Sequence, residues 1–135
     1  MNKQFRLFAV LAGLMAAATF TQADHHEEGE SKGLSHEKME EIMKVGFKSD
    51  KRKGTVSILD KIKDGSASKE ESKKFLGMLL ALESYKVEEG DQKEFNEKTD
   101  ALVVAMAGVI AKKDGSVDAL KKAANCKACH DAHKP

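Results

Sequence analysis

The sequence predicts an all-α protein. The composition favours helices, because the chain has one proline, no tryptophan and few aromatic residues. It is rich in lysine, glutamate, alanine, leucine and methionine, which are good helix formers. Apolar residues recur three and four positions apart, the spacing that places them on one face of a helix. No segment shows the alternation of apolar and polar residues that is typical of a strand.

The first two helical segments are predicted between residues 35 and 63. Ser35 is a suitable N-cap for a helix whose apolar face carries Met39, Ile42, Met43 and Phe47. Gly46 weakens the end of this helix, and the basic run at residues 51–54 interrupts it. A short second segment ends before Asp64-Gly65 and carries Val56, Ile58, Leu59 and Ile62.

The third helix is predicted to begin at a capping box formed by Ser68 and Glu71. In this arrangement the hydroxyl and the carboxylate each accept a hydrogen bond from a backbone N–H group near the helix start. We expect this helix to end near Lys86, with an apolar face made of Phe75, Leu76, Met78, Leu79 and Leu82.

Two more helices are predicted after Gly90. A start of the same kind at residues 91–94 opens a helix that Asp114-Gly115 stops, with an apolar face of Phe95, Leu102, Met106, Val109 and Ile110. Ser116 is expected to cap a last helix that runs on into residues 126–130. Short connections between such helices favour antiparallel neighbours, and hence an up-and-down four-helix bundle.

The most specific motif is C-x-x-C-H, made by Cys126, Cys129 and His130, and it contains the only two cysteines of the chain. This is the attachment signature of a c-type haem. The two thiols can form thioether bonds with the haem vinyl groups, and the imidazole can bind the iron as proximal ligand. In a helix these spacings place all three side chains on one face. We therefore predict one covalent haem c on the C-terminal helix.

The N-terminal segment, residues 1–23, is predicted to be a cleaved signal peptide. Lys3 and Arg6 precede an apolar run that is shorter than a membrane span, and small residues lie before the expected cleavage site after Ala23. Residues 24–34 are predicted to be a disordered polar linker, which leaves a domain at 35–135. Because bacteria attach haem covalently outside the inner membrane, we expect a periplasmic protein with no stable membrane anchor after cleavage.

Charge excludes one class of partner. Cleavage removes two basic residues and changes the formal net charge from +1 to −1. A nucleic-acid-binding protein would need a strongly basic surface, so we expect no nucleic acid partner.

The position of the motif on the last helix of a short bundle resembles the class II c-type cytochromes, the cytochrome c′ family. Family members usually continue C-x-x-C-H-x-x-(aromatic)-(basic), and here Lys134 matches the basic position whereas His133 replaces the aromatic residue. The stretch from Ile42 to Lys44, followed by Gly46, is similar to the family's first helix. The resemblance covers nearly the whole mature domain in helix order, but few individual residues match.

This resemblance implies a periplasmic monohaem carrier of single electrons rather than an enzyme. Its low-spin members place a methionine on the first helix, which implies Met43 as the distal iron ligand, with Met39 as the second choice. Lys134 and Lys44 become candidate contacts of the haem propionates. The partners would be redox proteins that the sequence does not identify, and the protein would be a monomer or a homodimer.

Three alternatives stay open at the level of sequence. An open distal position would make a five-coordinate cytochrome c′ that binds or senses nitric oxide or carbon monoxide. Zinc binding by the two cysteines with His130 and His133 would need four ligands from a single helix, whereas structural zinc sites draw on two separated elements. A thiol-redox protein would use the C-x-x-C pair, but such motifs usually occur in a βαβ context.

Overall fold

A computed structural model describes residues 33–133 of the chain. Within this range the chain forms helices and no strand, which confirms the predicted all-α class. The elements are α1 (His36–Ile42), a π-helical turn (Met43–Phe47), α2 (Ile58–Asp64), α3 (Lys69–Leu82), α4 (Gln92–Ile110), α5 (Ser116–Ala123) and α6 (Cys126–His133). The predicted signal peptide, most of the predicted linker and Lys134 lie outside the described residues.

Helix α1 begins at the predicted cap and ends in the π-helical turn. The Ser35 hydroxyl accepts a hydrogen bond from the Lys38 N–H at 3.3 Å. At the other end, the Lys48 N–H donates to the Met43 carbonyl at 3.0 Å, a bond spanning five residues, which is the π-helical pattern. Gly46 lies inside this turn, and a Cβ atom there would stand 3.0 Å from the ring of Phe75 on α3. Glycine therefore permits the first helix to approach α3 closely.

A hydrogen-bonded loop, residues 48–57, separates the π-helical turn from α2. Asp50 and Thr55 form an isolated antiparallel bridge. The Ser49 hydroxyl donates to the Asp60 carboxylate at 2.6 Å and accepts from the Ser57 N–H at 2.9 Å. The short second helix is confirmed, and it ends at Gly65, whose φ of +80° is the left-handed conformation of a glycine C-cap.

Helix α3 begins with the predicted capping box, because both reciprocal bonds between Ser68 and Glu71 are present, at 2.9 and 3.0 Å. It ends at Leu82, before the expected end near Lys86. The Ser84 hydroxyl bonds back to the Ala81 carbonyl at 2.8 Å, and the side-chain amide of Gln92 donates to the Tyr85 carbonyl at 3.0 Å. These side-chain bonds satisfy backbone groups in the turn that follows, so the helix stops earlier.

Helix α4 starts where predicted, with the Asp91 carboxylate accepting from the Glu94 N–H at 2.8 Å.

The expectation that Ser116 caps one last helix is wrong in two respects. Gly115, at φ +74°, is the N-cap, and Ser116 is the first helical residue. The chain also breaks at residues 124–125, where Asn125 accepts a hydrogen bond from the Ala128 N–H at 3.0 Å and so caps a separate helix α6.

Helix α4 packs against α3, α5 and α6. Helix α2 packs against the π-helical turn, α3 and α5. The most deeply buried large side chains come from α2, α3, α4 and α5, and they are Leu59, Phe75, Leu79, Leu82, Met106 and Leu120. Among the described residues, no helix has the length and apolar character needed to cross a membrane.

Candidate functional site

An open cleft of about 1050 Å³ lies between the first helix, α4 and the segment that joins α5 to α6. Its lining includes Cys126, Cys129 and His130 on one side and Met39 and Met43 on another. The fold thus brings together, around one cavity, the predicted residues that lie within residues 33–133. The volume is at the upper end of the range for pockets that hold a small molecule or cofactor.

The first wall of the cleft is α6. Because Asn125 caps this helix, Cys126 lies in its first turn, and the other two residues of the motif follow at helical spacing. Cys129 is half-buried and packs against the hydrophobic core, whereas Cys126 and His130 are exposed along the cleft. The helical spacing predicted for the motif is therefore present, and its three side chains face one cavity.

The second cysteine of the motif, Cys129, does not have the environment of an activated thiol. Burial raises the pKa of the Cys129 thiol above its ordinary value, an effect that the nearby Lys98 only partly opposes. Reactive thiols of that class have a lowered pKa, since the thiolate is the attacking species. The environment of Cys129 thus favours the protonated form.

The second wall is the first helix and its π-helical turn. Met39, Met43 and Phe47 are spaced four residues apart and all line the cleft. Met39 is 9% exposed and belongs to the core, while Met43 is only partly buried and packs against that core from the edge. A ligand in the cleft would reach the Met43 thioether more readily than that of Met39, which agrees with the order predicted for the two.

The remaining lining combines a mostly apolar floor with charged groups at the rim. Leu82, Phe95 and Leu102 are buried core residues that also line the cleft. These floor residues were not among the predicted site residues, although their apolar periodicity placed them on helix faces. A flat apolar group would find apolar contacts on three sides here.

His36 also lines the cleft. Its Nδ1 lies 3.3 Å from the Tyr85 hydroxyl, within hydrogen-bond distance, whereas its Nε2 lies 3.6 Å from the Glu40 carboxylate, beyond that distance. An iron bond at Nδ1 would displace the Tyr85 contact, and Met43 stays the predicted distal ligand.

Two of the lysines that line the cleft are already paired. Lys44 Nζ lies 2.9 Å from the Glu40 carboxylate, and Lys98 pairs with Glu94. These exposed pairs lower the pKa of Glu40 and Glu94, each chiefly through the lysine hydrogen bond. Lys44, one of the predicted propionate contacts, therefore already has a carboxylate partner in the protein.

His133, the residue that the sequence resemblance aligns with an aromatic position, does not line the cleft. Its ring is 7% exposed, and neither nitrogen has a hydrogen-bond partner among the described residues. It meets Phe95 edge to face, with 5.6 Å between ring centroids, and Gly90 approaches it so closely that a Cβ would lie 2.4 Å from Nδ1. The imidazole thus occupies the place of an aromatic packing residue.

The zinc alternative gains no support from this arrangement. Cys126, Cys129 and His130 line the cleft, whereas His133 is buried against Phe95. Within residues 33–133, no three histidine, cysteine or acidic side chains are grouped so that they could hold a metal ion.

Comparisons with protein-family models, with curated proteins and with solved structures find no match to this chain.

Proposed function

We propose that this protein is a monohaem c-type cytochrome of the class II kind, a periplasmic carrier of single electrons. One observation carries the proposal: the C-x-x-C-H side chains and two methionines of the first helix line the same cleft. These residues lie more than eighty positions apart, so their meeting depends on the fold rather than on local spacing.

The residues present fit a haem. The cleft is large, mostly apolar and open at one side, which suits a macrocycle with apolar faces and a charged edge. Cys126 and Cys129 would hold the porphyrin as thioethers, and His130 and Met43 would be the iron ligands. When bound, haem supplies a site of one-electron exchange, whose potential depends on axial ligands, burial and nearby charge.

The chain itself positions the three residues of the motif and keeps water away from the apolar part of the cleft. Helix α6 holds the three residues of the motif in one rigid element, because Asn125 fixes its start. Leu82, Phe95 and Leu102 form a buried apolar floor that would exclude water from the bound group.

The architecture proposed with this function is the antiparallel four-helix bundle. Its support is local: α3 and α4 pack against each other and are joined by the short segment 83–91, which favours opposite directions. The periplasmic location and the redox partner proteins remain predictions from the sequence.

The visible spectrum of the exported, haem-loaded protein tests this proposal. We expect a low-spin spectrum with a sulfur-to-iron band near the red end, and a reduced form that does not respond to carbon monoxide. Met43→Ala should convert it to a high-spin, carbon monoxide-binding form. Met78→Ala, which removes a methionine that does not line the cleft, should keep the low-spin spectrum.

Each contrary result has a clear meaning. A low-spin spectrum that survives in Met43→Ala but disappears in Met39→Ala would transfer the distal role to Met39. A wild-type protein that is already high-spin and binds carbon monoxide would replace the electron carrier with the gas-binding alternative. A purified chain without a Soret band would refute the cytochrome proposal.

A further inference from the structure

The charged side chains around the cleft leave two cations without partners. The lining contains three glutamates, and each lies next to a lysine. Glu40 and Glu94 pair with Lys44 and Lys98, as described above. Glu97 lies 3.7 Å from Lys93 on the same helix. Lys48 and Lys122 also line the cleft. Neither makes an ion pair with any residue between 33 and 133. The lining thus contains four lysines and three glutamates, and Lys48 and Lys122 are the two of these lysines that have no ion-pair partner within residues 33–133.

These two lysines come from different walls. Lys48 is the C-cap of the π-helical turn, directly after the wall that carries the methionines. Lys122 lies in the last turn of α5, directly before the wall that carries C-x-x-C-H. Both positions are at the C-terminal end of a helix, where the partial negative charge of the backbone favours a cation. Each wall thus contributes one unpaired ammonium group to the cleft.

We infer that Lys48 and Lys122 bind the two carboxylates of the porphyrin. The inference rests on the proposed function and deepens it, because it assigns the chain's own residues to the charged edge of the cofactor. A haem is a flat apolar body with two propionates, and an apolar cleft with two free cations is complementary to it in both polarity and charge.

The assignment differs from the one that the sequence predicts. The predicted contacts were Lys134, which lies outside the described residues, and Lys44, which lies 2.9 Å from Glu40 and would lose that ion pair on binding a propionate. Lys48 is one helical turn further on and has no competing carboxylate among the described residues. Binding to it therefore breaks no existing ion pair. The ammonium–carboxylate contacts would also lower the pKa of the propionates, because a nearby opposite charge favours the ionised form.

The test is the pH dependence of the reduction potential of the covalent holoprotein. Lys48→Gln and Lys122→Gln are compared singly and together with wild type. As a propionate becomes protonated on the acid side, the potential rises, because a negative charge near the iron is lost. We expect each variant to move this inflection upward by about one pH unit. Each variant should also lower the reduction potential at neutral pH. The negative charge of the propionate is then no longer compensated, and it stabilises the ferric form relative to the ferrous form.

The control for a general loss of charge is Lys53→Gln, which removes an exposed lysine that does not line the cleft and should leave the inflection in place. Lys44→Gln tests the rival assignment, in which Lys44 contacts a propionate. Far-ultraviolet circular dichroism checks that every variant keeps its helices. An inflection unchanged in the Lys48 and Lys122 variants overturns the assignment, as does one that moves only in Lys44→Gln. A chain that carries no haem refutes the proposed function itself.

Discussion

Replacing Gly46 with alanine tests whether the first helix really packs tightly on α3. A Cβ at this position would lie 3.0 Å from Phe75 Cε2 and 3.3 Å from Cδ2. Phe75 is completely buried and its ring already meets Phe47 edge to face at 5.2 Å, so a shift of the ring would disturb the packing around it. Overpacking of this kind costs about 1–3 kcal/mol, while alanine recovers up to about 1 kcal/mol of backbone entropy in a helix.

The expected net loss for Gly46→Ala is therefore about 1 kcal/mol, or a fall in Tm of about 5 °C for a domain of this size. Gly77→Ala is the matched control, because Gly77 lies in α3 and a Cβ there would meet nothing within 4 Å. It should gain about 0.8 kcal/mol from helix propensity alone.

Thermal and denaturant unfolding, followed by far-ultraviolet circular dichroism, measure both glycine variants. If Gly46→Ala is stabilised as much as Gly77→Ala, the first helix does not approach Phe75 closely. The position described for the cleft wall that carries Met39 and Met43 would then also be wrong.

Two further substitutions test the parts of the fold next to the cleft. Ser49→Ala removes the hydroxyl that lowers the pKa of Asp60 and should cost about 1 kcal/mol. A depressed carboxyl pKa stabilises the fold only while the group is ionised. The loss of unfolding free energy in Ser49→Ala should therefore be complete at neutral pH and should shrink as the pH falls through the folded-state pKa of Asp60. A loss that does not change with pH in urea titrations would contradict this expectation. His133→Phe removes two buried nitrogens that have no hydrogen-bond partner within residues 33–133, and it keeps the edge contact with Phe95, so unfolding should require about 1 kcal/mol more. A free energy of unfolding that does not rise would contradict this expectation.

Local chemistry made several helix starts predictable. Ser35, Ser68 and Asp91 each accept a backbone N–H three residues ahead in the structure, and such caps depend only on neighbouring residues. The helical face shared by Cys126 and His130 was predictable for the same reason, since helical spacing alone places them together.

Features that depend on distant contacts were not predictable in this way. The end of α3 at Leu82 involves Gln92, which bonds back from the next helix. The π-helical turn places Gly46 against Phe75, a contact across nearly thirty residues of sequence. Which lysines remain without an ion-pair partner around the cleft likewise depends on how the helices pack, so the sequence pointed to Lys134 and Lys44 and not to Lys48 or Lys122.

The break before α6 has a local signal in the sequence. Asn125 is a preferred N-cap residue, and it stands directly before the motif. The prediction of one continuous helix through residues 116–130 is wrong because this cap starts a new helix. The break matters for the site, because it gives the C-x-x-C-H residues a helix of their own along the cleft.

The measurement that tests the central claim most directly is whether haem remains attached to the unfolded chain. The protein is exported in a host that carries the haem-attachment machinery, purified, fully denatured and extracted with acidified organic solvent. We predict that the Soret absorption stays with the polypeptide, and that replacing both Cys126 and Cys129 with alanine allows the haem to be extracted. Haem that leaves the denatured wild-type chain, or a wild-type chain that never acquires it, would contradict the account.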